Sequence, residues 1–378
     1  MIKWLIKYGA PLFIFNTFLL SIPFTISFGN MLFLFIMASS CLFILYNPKQ
    51  IKYVIMHKSF RFFLFLNIIN FIYWLFFHDF KFDLASKYLL ARFMQFTVIS
   101  FSVYYNLEYF KNNFLNHMSY IILFLIIIGL AIDFNIFAGR YSGIFWNPNA
   151  LSSFSVVGFA SVLLNHTKRS YFDYFLLFIF LIISLSTGSR SVLFAIPLVF
   201  LFRYGISLRN ILFAFFAILV YLSILNIQLD TSINRFASQS LFNDRFLQYY
   251  YAFETLKNSP IIGFGLDKYS YIDQEVVPSS LAGSLVTAHN GYLAILVQLG
   301  LIFGSIVIAI ILYVSLSFFI VSTDKDLWQR FYLYIILYVL IGALFESFFT
   351  GINEFQTILF WLSLAVLSFS KFIKQNAI

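Results

Sequence analysis

The stretch NGYLAILVQLGLIFGSIVIAIILYVSLSFFI, residues 290–320, has no charged side chain over a length greater than the width of a lipid bilayer. A helix needs about 20 apolar residues to cross a hydrocarbon core of roughly 30 Å. We expect one tilted crossing here. The alternative is a short re-entrant piece followed by a span, with Gly300 and Gly304 as possible break points.

The whole chain has the same apolar character. Of its 378 residues, 61% are hydrophobic and only 10% are charged. This composition is typical of a polytopic membrane protein and excludes a soluble globular domain. Apolar segments between polar residues predict an all-α membrane helix bundle of about 12 transmembrane helices. They cover residues 10–27, 30–46, 60–77, 86–105, 119–138, 150–165, 171–187, 192–204, 210–227, 290–320, 331–349 and 355–372.

The charges predict an orientation. With both termini in the cytoplasm, most of the 24 Lys and Arg side chains fall on the cytoplasmic side. The net charge of +9 therefore marks orientation and indicates no nucleic-acid partner. No small-residue cleavage site follows the first apolar stretch, which we expect to remain as an anchor. The chain is predicted to form one membrane domain, with spans in 1–227 and 289–378 and a long outer loop at 228–288.

The outer loop contains NDRFLQYYYAFETLKNSP, residues 243–260, which predicts an amphipathic helix. Its apolar positions at helical spacing are Phe246, Tyr249, Tyr250, Phe253 and Leu256. One interpretation is a lid, or a helix lying in the membrane interface. The other notes that Arg245 opens the helix, where the backbone dipole favours an anion. The following IIGFG turn, residues 261–265, would bring backbone close to a ligand.

A second basic candidate lies in SLSTGSRSVLF, residues 184–194. Arg190 stands between Ser189 and Ser191 where an apolar helix begins. Helix N-terminal amides, hydroxyl donors and a forked guanidinium together suit a phosphate group. The alternative is an interfacial arginine that reaches the lipid headgroups.

His289 and Asn290 lie in TAHNGYLAILVQLG, residues 287–300, at the outer end of a predicted span. An imidazole with an ordinary pKa near ~6.5 is the best single candidate for taking a proton from a hydroxyl at neutral pH. The alternative is a helix cap or an interfacial anchor. Asp133 and Glu346, near the outer ends of their spans, either orient His289, bind hydroxyls or pair with a neighbouring helix.

Other motifs carry less weight. Arg140 lies in GRYSGIFWNPNA, residues 139–150, where Asn147 caps a helix that starts with Pro148, so we rank Arg140 as a supporting residue. The single Cys41 excludes an intrachain disulfide and a cysteine-based metal cluster. The DKD run at 324–326 is predicted to be a solvated turn. We therefore expect no metal site and no cofactor.

Three pieces in this order resemble the bacterial O-antigen ligases and the related O-antigen or capsule polymerases. They are the SRS run at 189–191, the run from Arg245 through SPIIGFG at 259–265, and the HN pair followed by Gly300. The resemblance covers about residues 139–312. Two departures are Gln298, where many polymerases carry an acid, and Gly304, one residue later than a tight GxxG.

The resemblance implies an inner-membrane glycosyltransferase with its active site at the periplasmic face. Arg190 and Arg245 would hold the diphosphate of an undecaprenyl-diphosphate-linked glycan, and His289 would activate the acceptor hydroxyl. The acceptor would be lipid A-core or a growing glycan, with ligase slightly favoured by the single long loop. A metal-independent, inverting transfer is expected. The rivals are a transporter or flippase, whose charges would lie at the bilayer midplane, and a structural membrane protein.

Overall fold

The computed structural model describes residues 2–77, 83–136, 139–165, 167–189, 191–205, 207–212, 215–216, 219, 243–266, 272–281, 283–320 and 326–376. Within these ranges the chain forms fourteen α-helices, which confirms the all-α class. They are α1 (Ile2–Lys7), α2 (Gly9–Leu20), α3 (Ile26–Tyr46), α4 (Pro48–Ile55), α5 (Arg61–Phe77), α6 (Leu84–Asn112), α7 (Phe114–Ile132), α8 (Pro148–Leu163), α9 (Tyr171–Ser186), α10 (Ser191–Tyr204), α11 (Asn243–Asn258), α12 (Gly291–Ile320), α13 (Leu327–Gly342) and α14 (Phe355–Asn376).

Five segments in the described part of the chain are long and apolar enough to cross a membrane. They are Pro23–Tyr46, Lys58–Phe77, Phe114–Ile132, Gly291–Phe319 and Phe355–Gln375. Shorter apolar helices lie at α2, α8, α9, α10 and α13. These helices support a multi-pass membrane protein. The predicted span at 210–227 lies largely outside the described residues.

Several predicted boundaries were wrong for local reasons. The span predicted at 10–27 is interrupted after Leu20, where a 3₁₀ turn at Pro23–Thr25 precedes α3. The span predicted at 119–138 ends at Ile132, because Asp133 is extended. The span predicted at 331–349 ends at Gly342, and an irregular segment, residues 343–354, leads into α14. We call residues 343–354 the α13–α14 turn.

Contacts between helix ends bring one end of the bundle together. The Tyr141 amide donates to the Ser186 carbonyl at 3.1 Å, and the Gly291 amide donates to Ala343 at 2.7 Å. The Gln356 side-chain amide donates to the Ser153 hydroxyl. The starts of α8, α12 and α14 therefore lie beside the ends of α9 and α13.

The helices that meet at this end are short. α8, α9 and α13 have 16 residues each, and α10 has 14. At 1.5 Å per residue, 16 residues span only about 24 Å, less than the roughly 30 Å of a hydrocarbon core. Each of these four helices is therefore shorter than such a core is thick.

Helix α12 is broken at Gly300, one of the two break points named from the sequence, although Gly291–Phe319 is still long and apolar enough to be one span. Gly300 has φ of +71° and ψ of 178°, which no helix accommodates. The freed backbone groups are used by the preceding turn. The Phe264 and Gly265 amides donate to the Val297 and Gln298 carbonyls at 2.9 Å each, and the Leu301 amide donates to Pro260 at 2.7 Å.

Two glycines make this junction possible. A Cβ on Gly263 would overlap the Gly300 nitrogen, and a Cβ on Gly300 would overlap the Ile261 carbonyl. From α5, the Tyr73 hydroxyl donates to the Ile262 carbonyl at 2.7 Å and lies 3.2 Å from the Gln298 carbonyl. The close approach of the 261–265 turn is therefore to α12 backbone, which corrects the expectation that it approaches a ligand.

Replacing Gly300 with alanine is expected to destabilise the protein. Because φ of +71° with ψ of 178° is essentially restricted to glycine, a side chain there costs about 1–3 kcal/mol, and the added Cβ would also meet fixed backbone. Gly283 is the matched control, since its φ is +81° and no described atom lies within 4 Å of the Cβ position. Gly300→Ala should lower the Tm in detergent more than Gly283→Ala; equal shifts would contradict the junction.

Candidate functional site

The centre of the site is a carboxylate held between a cation and an imidazole. One Glu346 oxygen accepts from Arg245 Nη2 at 2.9 Å, and the other lies 3.2 Å from His289 Nδ1. The three side chains are 27%, 32% and 39% exposed for Arg245, Glu346 and His289. They are therefore half-buried and accessible. The sequence flagged all three residues, and the structure brings them together.

The α13–α14 turn gathers the three segments that carry these residues. From α11, the Tyr249 hydroxyl donates to the Leu344 carbonyl at 2.6 Å, one helical turn after Arg245. The Asn290 side-chain amide donates to the same carbonyl at 3.3 Å. A Cβ on Gly291 would overlap the Phe348 carbonyl, so the start of α12 lies directly against this turn.

Asn290 caps α12 and His289 precedes the cap. The Asn290 Oδ1 accepts from the Tyr292 and Leu293 amides at 3.0 Å each, satisfying two free helix N–H groups. His289 has φ of +42°, a left-handed conformation for a non-glycine residue. Such strain costs about 1–3 kcal/mol and persists only where the surroundings enforce it.

The Glu346 carboxylate determines which tautomer the neutral His289 ring adopts. Burial raises the pKa of Glu346, but the His289 hydrogen bond and the Arg245 charge outweigh it, so the pKa lies below its ordinary value. The carboxylate is ionised at neutral pH and can only accept hydrogen bonds. His289 Nδ1 must therefore carry the proton, and in the neutral ring Nε2 keeps the lone pair.

Helix α11 presents two different faces. Its inner face carries Arg245, Tyr249, Ala252 and Leu256, the last two being buried. Its outer face carries Phe246, Tyr250 and Phe253, which are 60%, 56% and 54% exposed. The single apolar face predicted for this helix was wrong. The small Ala252 lets the inner face pack closely, and the aromatic rings face outward.

The Ser189 and Ser191 hydroxyls lie on the other side of the site, 2.9 Å apart, at the turn between α9 and α10. Ser191 is hydrogen-bonded to the Tyr338 hydroxyl, which also lies 3.5 Å from Ser153. Tyr338 is in turn within electrostatic range of Glu346. Tyr338 therefore contacts this serine turn. Arg190, the arginine within it, lies outside the described residues.

The two remaining sequence candidates do not join the Glu346 group through any hydrogen bond in the described ranges. Arg140 donates to the Thr187 carbonyl at 3.2 Å and to Asn149 Oδ1 at 2.6 Å, so it supports the α9 end. Asp133 accepts from the Asn135 amide at 3.0 Å. The Asn147 cap of α8, with Pro148 in its first turn, is as predicted.

Sequence reasoning missed a second group of polar residues at the α13–α14 turn, formed by Arg92 and Glu354. Arg92 of α6 donates to the Phe349 and Thr350 carbonyls at 2.9 and 2.6 Å. Glu354 accepts from Thr357 at 3.1 Å and is near enough to Arg92 and Glu346 to feel both charges. Arg92 carried a signal, namely a charge within an apolar helix. Glu354 carried none.

The Glu354 residue is exposed over part of its surface, while protein surrounds its carboxyl group. A Cβ on Gly351 would overlap the carboxyl carbon, so the group lies directly on that glycine. Burial raises the pKa of Glu354 from 4.5 to about 7, and the Glu346 charge adds to this, against opposing contributions from Thr357 and Arg92.

In the described part of the chain, no three His, Cys, Asp or Glu side chains lie close enough together to hold a metal ion.

In a comparison with protein families, residues 175–309 match the family model Wzy_C, described as O-antigen ligase. These residues form an O-antigen ligase family domain. The match takes in the serine turn, Arg245, His289 and Gly300, and it covers about a third of the chain. Arg92, Glu346 and Glu354 lie outside it. No curated protein and no solved structure matches the chain.

Glu354 gives the stability of the protein an expected pH dependence. A raised pKa favours the folded state below the ordinary value of 4.5, and the contribution is lost as the pH rises through about 7. Glu354→Gln removes the ionisation, so its Tm relative to wild type should rise by about 1–3 °C between pH 5 and pH 8. Glu275→Gln, on the exposed loop, is the control and should show no such trend. If the Tm difference between Glu354→Gln and wild type did not change with pH, the raised pKa would be contradicted.

Proposed function

We propose that this protein is an inner-membrane glycosyltransferase that transfers an undecaprenyl-diphosphate-linked glycan to an acceptor hydroxyl at the periplasmic face. The supporting observation is the Arg245–Glu346–His289 group, with a cation on one carboxylate oxygen and an imidazole on the other. The family match supplies the reaction class of lipid-linked glycan transfer. Within that class we favour ligation to lipid A-core.

The donor diphosphate is assigned to Arg245, Arg190, Ser189 and Ser191. Arg245 Nη2 binds Glu346, while its Nη1 is buried and has no hydrogen-bond partner among the described residues. A guanidinium can hold a carboxylate with one nitrogen and a phosphate oxygen with another. The two serine hydroxyls add donors where α10 begins, and helix N-terminal amides favour an anion.

His289 is assigned as the general base. Its Nε2 takes the proton of the acceptor hydroxyl as that oxygen attacks the anomeric carbon. The bond from the anomeric carbon to the phosphate oxygen breaks, and undecaprenyl diphosphate leaves with the electron pair. Attack opposite the leaving group inverts the anomeric centre. Glu346 stabilises the imidazolium, and the arginines stabilise charge on the diphosphate without a metal.

The proposed membrane arrangement keeps about 12 spans, with both termini cytoplasmic and residues 228–288 as the periplasmic loop. The outward aromatic face of α11 suits the headgroup region, where such rings are enriched. The acceptor is lipid A-core or, in the alternative of a repeat-unit polymerase, a growing glycan. A transporter or flippase is disfavoured because the Arg245–Glu346–His289 group lies at helix ends.

A gene deletion tests the proposal. Surface glycan and lipid-linked intermediates would be analysed together by gel electrophoresis and mass spectrometry. Loss of long-chain glycan from lipid A-core, with lipid-linked polymer retained, supports the ligase. Single repeats on the acceptor support the polymerase, and an unchanged glycan profile rules out both.

Replacing His289 tests the base. Asn is the best substitute because it tolerates a left-handed backbone, so His289→Asn removes the imidazole with little added strain. Transfer should slow about 10²–10⁴-fold, with donor affinity near wild type, as measured by single-turnover transfer and by lipid-donor binding. Wild-type transfer would place the base elsewhere. Lost donor binding would assign His289 to the diphosphate site.

Replacing Arg245 tests the donor contact. Arg245→Ala should weaken donor binding and lower turnover about 10²–10³-fold, and Arg245→Lys should recover only part because it lacks the planar fork. Lys257→Ala, at the exposed far end of the same helix, is the control. A chelator should leave transfer intact. If Arg245→Ala bound donor normally, its pairing with Glu346 would be structural.

A further inference from the structure

Arg92 is a buried cation whose hydrogen bonds to the described residues all end on neutral groups. It is 2% exposed. Nη1 donates to Gln95 Oε1 at 2.8 Å, and Nη2 donates to the Tyr88 hydroxyl and to the Phe349 and Thr350 carbonyls at 2.9, 2.9 and 2.6 Å. Burying a guanidinium costs several kcal/mol unless it is well bonded. Helix packing alone does not require a buried guanidinium at this position.

Helix α6 is hydrogen-bonded to the α13–α14 turn at more than one point. The Gln95 side-chain amide donates to the Ile352 carbonyl at 2.8 Å, and the Tyr88 hydroxyl donates to Thr350 at 3.0 Å. With Arg92, three side chains on consecutive turns of one helix hold three carbonyls of the turn. These hydrogen bonds satisfy the backbone carbonyls and also fix the position of the backbone.

The backbone that these hydrogen bonds hold is strained. Phe349 has φ of +81°, a genuine outlier for a bulky residue. Its ring packs against Tyr292 and Phe360, at centroid distances of 5.5 and 5.1 Å. Strain of this kind persists only where surrounding contacts over-determine it. The Arg92 bond to the Phe349 carbonyl is the charge-assisted part of that restraint.

This strained residue lies three positions after Glu346. The Phe348 amide donates to the Glu346 carbonyl at 2.8 Å, so the intervening backbone is a tight turn. A shift at Phe349 would therefore be transmitted to the carboxylate that Arg245 and His289 share. A displacement of about 1 Å at a reacting group can cost 10²-fold in rate.

We infer that Arg92 is a positioning residue for the proposed transfer reaction: from α6, outside the matched family domain, it fixes the Phe349–Thr350 backbone so that Glu346 reaches both Arg245 and His289. This inference rests on the proposed function for its catalytic consequence. Its structural half, the placement of Glu346, stands independently. The positive charge of Arg92 also opposes the rise in pKa of Glu354 beside the same turn.

The experiment compares Arg92→Gln and Arg92→Lys with the matched control Arg330→Gln. Arg330 also donates to backbone carbonyls, those of Phe202 and Arg203 at 3.4 and 3.2 Å, but at the other end of α10. Arg92→Gln should lower turnover about 10²-fold with donor affinity retained. Arg92→Lys should recover part of the loss, and the control should transfer at the wild-type rate.

A double-mutant cycle separates positioning from general destabilisation. If Arg92 acts through Glu346, Arg92→Gln added to Glu346→Gln should cause little further loss of turnover. Losses that multiply, or an Arg92→Gln protein as active as wild type, would overturn the inference.

A readout without activity keeps this test apart from the proposed function. The ¹⁵N NMR signals of the His289 ring report the Nδ1–H bond to Glu346, and a His289→Asn sample assigns them among the five histidines. Arg92→Gln should move these signals and Arg330→Gln should not. Unmoved signals would refute the positioning role. If they move but the wild-type chain transfers no glycan, the proposed function fails and the placement of Glu346 by Arg92 stands.

Discussion

The site depends on the sharing of one carboxylate, Glu346, between Arg245 and His289. Each partner comes from a different segment, and neither lies near Glu346 in sequence. A carboxylate so placed loses much of its hydration, and only two good partners make its ionised state favourable. The surrounding residues hold the α13–α14 turn, which carries Glu346, in place. Tyr249 and Asn290 donate to the Leu344 carbonyl, and Arg92 donates to carbonyls later in the same turn.

The glycine junction fixes the segment that follows α11. Because Gly263 and Gly300 allow backbone to meet backbone, the segment after α11 is bound to the break in α12. The same α12 begins at the Asn290 cap, with His289 just before it. Arg245, at the start of α11, and His289, just before α12, therefore lie at the same end of one packing unit, away from the junction. Its small core includes Ala252, Leu256, Leu293 and Val297.

Much of this was readable from local sequence. The helix class, the Asn147 cap and the possible break at Gly300 follow from hydropathy, capping chemistry and glycine freedom within a few residues. What could not be read depends on contacts between distant segments. Whether Asp133 or Glu346 would meet His289 depended on which helix end packs beside α12. The hydrogen bond from Arg92 to the Phe349 carbonyl joins positions 257 residues apart. The raised pKa of Glu354 arises only when folding surrounds its carboxyl group.

In the proposed reaction, the shared carboxylate also relates the two chemical events. Before transfer, Glu346 offsets the charge of Arg245, so the donor diphosphate needs a second cation; this is the part assigned to Arg190. When His289 takes the acceptor proton, the new imidazolium forms an ion pair with the same carboxylate. Arg245 is then less compensated at the moment when negative charge grows on the leaving diphosphate, where a fixed cation stabilises most. One carboxylate between the two groups thus lets proton removal strengthen leaving-group stabilisation.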